Sequence, residues 1–256
     1  MPRVSIRAET LRGVRTLEIN RPEKKNALTF AMYDALTAEL GAANADRAIR
    51  AVLITGQPGV FTSGNDLQDF ADQPPGTEDS SVVRFMSALR AFEKPVVAAV
   101  TGTAVGIGVT MLLHCDLVYV SEDARMSLPF VSLALVPEFA VSLLLPRLVG
   151  HVRAAEKLLL GEPFTGVEAV AMGIANASLP AAQVLEHARR VAERFNSLPP
   201  DSVRETKRLM RAPMKENISH AIAAENAAFC QRLRSPEARE AFEAFLQKRP
   251  ADFSKF

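Results

Sequence analysis

Residues 96–116 read VVAAVTGTAVGIGVTMLLHCD. Five apolar residues of strand character run into glycines at 102, 106 and 108, and an apolar segment of helical character, Val109 to His114, follows. Glycine lets a backbone approach closely and take dihedrals closed to other residues. A helix starting near Gly106 leaves its first amides unpaired at the positive end of its dipole, which suits a phosphate or a developing oxyanion. The spacing G-x-x-x-G-x-G is not the dinucleotide fingerprint, because no acidic residue follows at the ribose-binding distance. It is not a P-loop either, because no Gly-Lys-Ser/Thr is present. Alone, the turn reads first as tight helix–strand packing and second as an anion site.

A second turn lies upstream. Residues 60–70 read VFTSGNDLQDF: apolar Val60 and Phe61, then Thr62, Ser63 and Gly64, then Asn65, Asp66 and Leu67. Ser63 has no His–Asp partner set and G-x-S-x-G is absent, which excludes a serine hydrolase of that type. Both turns follow apolar strands and set small residues beside free backbone donors. Two such donors facing one point would make an oxyanion hole.

Working outward, Val14 to Ile19 alternates like a half-buried strand, and Ala51 to Thr55 and Leu117 to Val120 are short buried strands. Residues 29–43 carry apolar residues at helical spacing, with Thr29 as a cap, and Val82 to Phe92 reads as helix. Strands alternating with helices predict parallel β/α layering. Beyond residue 139 helical segments dominate, near 139–149, 151–160, 165–172, 182–197, 201–211, 216–232 and 235–247. Strand signals nearly vanish after Ile174 to Ser178. The expectation is an α/β core followed by a helical tail that packs on the core or on a neighbouring subunit.

The 256 residues carry 30 basic and 29 acidic side chains, a net charge of +1. This balance offers nothing to nucleic acid or to an anionic membrane surface. The apolar runs around Val96 to Val109 are broken by Gly and Thr, so no membrane span is expected. The start, MPRVSIRAET, lacks a secretory core, and Cys115 and Cys230 form no framework. A cytoplasmic location is expected, with a peroxisomal one only for a eukaryotic source. The final Ser254-Lys255-Phe256 departs from Ser-Lys-Leu in its last residue. No metal spacing is present among the histidines. His114 reads as structural, His151 as a helix start, and His187 and His220 as members of the helical tail.

The stretches FTSGNDL (61–67), Pro95 followed by GTAVGIGVTMLLHCDLVYV, NRPEKKNAL (20–28) and FLQKRPADF (245–253) resemble the crotonase (enoyl-CoA hydratase/isomerase) superfamily, in the family's order and through nearly the whole chain. The resemblance implies an α/β fold, with a ββα spiral core over residues 1–195 and a C-terminal helical trimerisation region over 196–256. It implies a homotrimer or hexamer. The substrate would be an acyl-CoA thioester, with no cofactor beyond the coenzyme A that the substrate carries. By position, the backbone amides of Asn65 and Ile107 would bind the thioester oxygen. Ser63, Gly64, Leu67 and Gly106 would line that site, while Asp66 reads first as a brace for the turn. Lys25, Ala27 and Leu28 would meet the CoA moiety, although Lys24 and Lys25 read equally as a solvated pair. Phe245 and Lys248 would add contacts from the last helix.

The hydratases of this superfamily use two glutamates, at the places held here by Thr110 and Phe130, neither of which does acid/base chemistry. One acid remains nearby, Glu138 in LVPEF (135–139), read as the N-terminal residue of an apolar helix. The peroxisomal-type β,γ- to α,β-enoyl-CoA isomerases resemble the chain here, with SGNDL, Pro-Phe and a glutamate at the place of Glu138. That resemblance implies a double-bond shift with Glu138 as proton shuttle, in an apolar pocket walled by Phe130, Leu135 and Phe139. The alternatives are an atypical hydratase or another crotonase activity, and a non-catalytic acyl-CoA-binding paralogue. Gln73 to Ser81 is expected to form a mobile loop over the acyl site.

Overall fold

The computed structural model describes residues 5–72 and 80–256. The described residues form ten strands: β1 (Ile6–Leu11), β2 (Val14–Ile19), β3 (Ala51–Thr55), β4 (Val60–Thr62), β5 (Val96–Val100), β6 (Thr103–Val105), β7 (Leu117–Ser121), β8 (Arg125–Ser127), β9 (Phe164–Thr165) and β10 (Ala177–Leu179). They form two sheets. The larger runs β1-β2-β3-β5-β7-β10 and the smaller β4-β6-β8-β9. Only β1–β2 and β8–β9 pair antiparallel.

The chain climbs by alternating between the sheets. β3, β5 and β7 lie in the larger sheet, and each is followed within a few residues by a short strand, β4, β6 or β8, in the smaller one. Parallel neighbours in each sheet require a return crossover. Those returns are made by α2 (Leu67–Asp72), α3 (Ser81–Ala91) and α4 (Ile107–Thr110), which continues as a 3₁₀ turn over Met111–His114. This repeated ββα unit is the predicted spiral. The sequence shows no repeat because each unit is fixed by burial and turn geometry rather than by residue identity.

AVLIT and VVAAV are buried at every position, as strands covered on both faces must be. Val52, Ile54, Val96, Ala98 and Val100 face the main core with α1 (Phe30–Ala45), while Ala51, Leu53, Val97 and Ala99 pack against Val184, Ala188 and Ala192 of α8 (Ala181–Glu193). Thr29 caps α1 as predicted, its hydroxyl accepting from the Met32 amide at 3.3 Å.

The remaining helices are α5 (Val141–Val149), α6 (His151–Ala155), α7 (Gly166–Ala171), α9 (Pro200–Arg211), α10 (Lys215–Leu233) and α11 (Pro236–Gln247). The C-terminal helices return to the core of their own chain. α10 packs on α5, and α11 packs on the turn Val131–Leu133. Gln73 to Ser81 lies outside the described residues except for its last two, where the Ser80 hydroxyl caps α3 by accepting from Val83 N.

One expectation needs correction. The second glycine turn opens only four α-helical residues before the 3₁₀ turn. A helix that short has little macrodipole, so any anion affinity there rests on individual amides.

Candidate active site

β4 and β6 are parallel neighbours in the small sheet, so the two glycine turns that follow them lie side by side. The packing is close. A Cβ on Gly64 would stand 3.1 Å from the Val105 carbonyl oxygen, and one on Gly108 would stand 2.5 Å from the Thr62 methyl. Gly64 has φ +94°, and Gly106 has φ +54° with ψ −116°, a conformation open to glycine and costly for other residues.

These dihedrals determine which amides stay free. Gly64 N donates to Thr62 Oγ1 (3.1 Å), Asp66 N to Leu28 O (2.9 Å) and Gly106 N to Ser127 O (3.0 Å). The intervening amides, Asn65 N and Ile107 N, have no acceptor among the described residues. The two amides singled out by the sequence therefore sit unpaired on adjacent turns at one end of the small sheet.

The segment 20–28 is knitted onto the first turn. Leu28 forms a parallel bridge with Asn65, and Ser63 N donates to Lys25 O at 3.1 Å. Asn26 Nδ2 donates to Val60 O (2.9 Å), and Thr62 Oγ1 donates to Asn26 O (2.7 Å). Arg21 Nη1 donates to Asp66 Oδ2 (2.5 Å) and to Ala27 O (3.0 Å). Asp66 Oδ1 also accepts from Gln68 N (3.0 Å), so Asp66 does brace the turn. Lys25 is exposed and left-handed (φ +50°), beside the turn. Ala27 is half-buried, whereas Leu28 is wholly buried, so its side chain belongs to the core and only its main chain faces the turn.

Glu138 comes from a different part of the chain and meets this site at Asn65. The residue is 3% exposed, and its Oε1 has no hydrogen-bond partner among the described residues. The Asn65 side chain lies near the carboxyl group and favours its charged form. The Tyr33 hydroxyl, on α1, donates to Asn65 Oδ1 and so turns the Asn65 NH2 toward the acid. Burial pushes the Glu138 pKa up to about 8; the Glu225 charge adds to the rise and the Asn65 side chain opposes it. Phe130, Leu135 and Phe139 are all buried members of the main core cluster. Thr110 Oγ1 is the other buried side-chain oxygen without a partner among the described residues. Unpaired buried polar atoms are rare and call for a functional account.

Glu138 is not the first residue of its helix, as the sequence suggested. α5 begins at Val141, and between the two lie Phe139 and Ala140, both left-handed at φ +59°. Left-handed non-glycine residues cost about 1–2 kcal/mol each, so outside contacts must hold them. His114 Nε2 bonds Phe139 O at 2.8 Å and its ring stacks on the Phe139 ring. His114 is buried and its pKa falls to about 4, so it is neutral and donates that bond.

The chain matches the family model described as enoyl-CoA hydratase/isomerase over residues 9–255. The chain belongs to that family. It is 36% identical over 248 residues to enoyl-CoA delta isomerase 2 of Rattus norvegicus, with 93% of this chain but only 62% of the isomerase's length covered. It is 33% identical over 238 residues to 2,3-dehydroadipyl-CoA hydratase of Escherichia coli, covering 93% of each. The solved structure of Pseudomonas aeruginosa OdaA is 56% identical, with a TM-score of 0.93, covering 94% of this chain and 98% of that one. Isomerases and hydratases match at similar identity, so the family assignment carries the crotonase fold and leaves the individual reaction to the site.

Of the residues named from the sequence, the structure sets the segment with Ser63, Gly64, Asn65 and Leu67 beside the turn with Gly106 and Ile107, brings Glu138 to Asn65, and buries Phe130 in the core. Phe245 and Lys248 are exposed at the end of α11. Sequence reasoning missed Tyr33, hidden among the core residues of α1, and Glu225 on α10. A signal for Glu225 was present. It shares a spacing of four with Phe229 and Leu233, which places an acid on the buried stripe of the helix.

Proposed function

We propose that the protein moves a double bond from the β,γ to the α,β position of an enoyl-CoA. The carrying observation is a buried carboxyl group, Glu138, whose Oε1 has no hydrogen-bond partner among the described residues and which meets the turn bearing the unpaired Asn65 amide, while the positions that would supply the two hydratase acids hold Thr110 and Phe130. The thioester oxygen accepts hydrogen bonds from Asn65 N–H and Ile107 N–H. Ionised Glu138 takes a proton from the α carbon, and the electron pair of that C–H bond delocalises through the thioester into a dienolate. Glu138 then returns the proton at the γ carbon, leaving the α,β-enoyl thioester. No water enters or leaves the balance.

A base of pKa about 8 is matched to a near-neutral working pH, where it still ionises and still returns its proton readily. Each amide aimed at the developing oxyanion contributes about 3 kcal/mol. Hydration needs an activated water and a separate proton donor, and Thr110 and Phe130 provide neither. The test is a parallel assay of the purified protein on a β,γ-unsaturated acyl-CoA and on crotonyl-CoA. Turnover of the first at about a hundred or more times the rate of the second, the low end of the effect of one acid/base group, is the expected result. Faster hydration of crotonyl-CoA would overturn the reading.

A further inference from the structure

Glu225 lies on α10, 87 positions from Glu138 in sequence, and is 7% exposed. Its Oε2 accepts from Ala140 N at 2.5 Å, and its Oε1 accepts from Ser142 N at 2.9 Å and from the Ser142 hydroxyl. A carboxylate from another helix thus does the work of an N-cap for α5, whose own cap residue, Ala140, has no side-chain acceptor. The bond to Ala140 N fixes the second of the two left-handed residues that carry Glu138 into the pocket. The bond from His114 fixes the first. Both carboxylates lie in the same low-dielectric space, where charges act on each other more strongly than in water.

We propose that Glu225 is a positioning residue for Glu138: it locks the 138–140 bend from the C-terminal helical region and sets the field in which the Glu138 carboxyl ionises. This rests on the reading of Glu138 as the base. The titratable groups that face Glu138 are Tyr33 from α1 and Glu225 from α10, with neutral His114 reaching Phe139 from the turn after α4. Tyr33 stays protonated, its pKa raised by burial and then by Glu138 itself. Glu225 is therefore the group whose charge moves the acid. Its own pKa is raised by burial and held back by the three bonds to Ser142 and Ala140. A helix that only tethered the tail would have no reason to bring a carboxylate to this point, since burying an acid costs free energy unless its bonds are used.

The test is a titration of the Glu138 side-chain carboxyl by carbon-13 NMR in the full chain, with its resonance assigned as the one lost in Glu138→Gln. The parent is expected to titrate near pH 8. Glu225→Gln removes the charge and leaves one backbone donor facing an amide. The midpoint should fall by at least about half a unit, and kcat on a β,γ-enoyl-CoA should drop about tenfold with KM nearly unchanged. Glu225→Asp keeps the charge, protects the fold and withdraws the carboxylate by one methylene. It should give a smaller fall of the midpoint. Identical midpoints in parent and variants, whatever their melting temperatures, overturn the proposal. A lowered midpoint in a chain that does not isomerise upholds the positioning role and overturns the isomerase reading instead.

Discussion

The amides of Asn65 and Ile107 are aimed by the glycine directly before each and by main-chain pairing with Leu28 and Ser127, whereas Glu138 is placed by side chains from distant segments: His114 and Glu225, 24 and 87 positions away, with Tyr33, 105 positions away, acting through Asn65. In the first region two glycines take dihedrals closed to other residues, and parallel pairing of β4 with β6 does the rest. In the second, ordinary residues are forced into left-handed backbone, and side chains from two distant helical segments converge to hold them there. The difference separates two requirements. A donor for an oxyanion needs only a fixed direction, which a local turn provides. A base needs a direction and a tuned affinity for its proton, and the tuning comes from charge and burial that only tertiary packing supplies.

Replacing Glu138 by Gln is the largest test of that division. Loss of the base should lower kcat about 10³-fold, within the span expected for one general base, with CoA-thioester affinity little changed. The same change should alter stability in the opposite sense. The pKa rises from 4.5 to about 8 on folding, so between those values the unfolded chain has released a proton that the native one retains. Native stability therefore falls as pH rises from 4.5 to 8 and stays low above it. Glu138→Gln lacks this term and should be the more stable protein at pH 9, by an amount on the order of a few kcal/mol, and nearly equal to the parent at pH 4. Thermal melts at the two pH values check it. A variant that loses activity and stability together at pH 9 would contradict a buried, high-pKa base.

Gly106→Ala attacks the other region. A Cβ at Gly106 meets no atom within 4 Å, so the fold has room for it. The backbone does not: at φ +54° and ψ −116° an alanine is strained and relaxes toward negative φ. That relaxation rotates the peptide between residues 106 and 107 and swings the Ile107 N–H out of line. The expected loss in kcat is about 10²-fold, the effect of removing one oxyanion donor, with an unchanged pH profile because Glu138 is untouched. Wild-type turnover in a folded Gly106→Ala protein would remove Ile107 N–H from the mechanism.

The same contrast explains what could be read in advance. VVAAV, AVLIT and LVYV announce buried strands by composition, and the glycines announce the turns, so the layered α/β core and the two turns are legible; the spiral and the choice of Asn65 and Ile107 came from the family resemblance. β4, β6, β8 and β9 are two or three residues long and have no period of their own; they exist only because the larger sheet sets them beside each other. Glu138 was legible as the remaining acid, but its backbone was not, because nothing in PEFAV demands positive φ at Phe139 or Ala140. That demand comes from His114 and Glu225, and contacts between distant segments leave no local pattern. Tyr33 was concealed for another reason: in an apolar stripe with Met32, Leu36 and Leu40 its ring looks like core, and its hydroxyl gains a purpose only when Asn65 arrives.

Tyr33→Phe gives the smallest expected effect and the sharpest reading of how the two regions join. The ring keeps its packing against Phe85, so the core is undisturbed. What disappears is the hydroxyl that donates to Asn65 Oδ1. Freed, the Asn65 amide no longer has a reason to keep its NH2 toward Glu138, and the interaction that lowers the Glu138 pKa weakens. The sign follows directly. Less stabilisation of the carboxylate raises its pKa, so the acid limb of kcat/KM moves to higher pH, opposite to the shift expected for Glu225→Gln. One neutral hydrogen bond is worth about 1 kcal/mol, so the rate below the limb should fall roughly fivefold while the rate on the alkaline plateau, where the base is ionised in both proteins, stays close to the parent's. A limb that moves down, or a loss that is uniform across pH, would mean that Asn65 serves the site through its main chain alone.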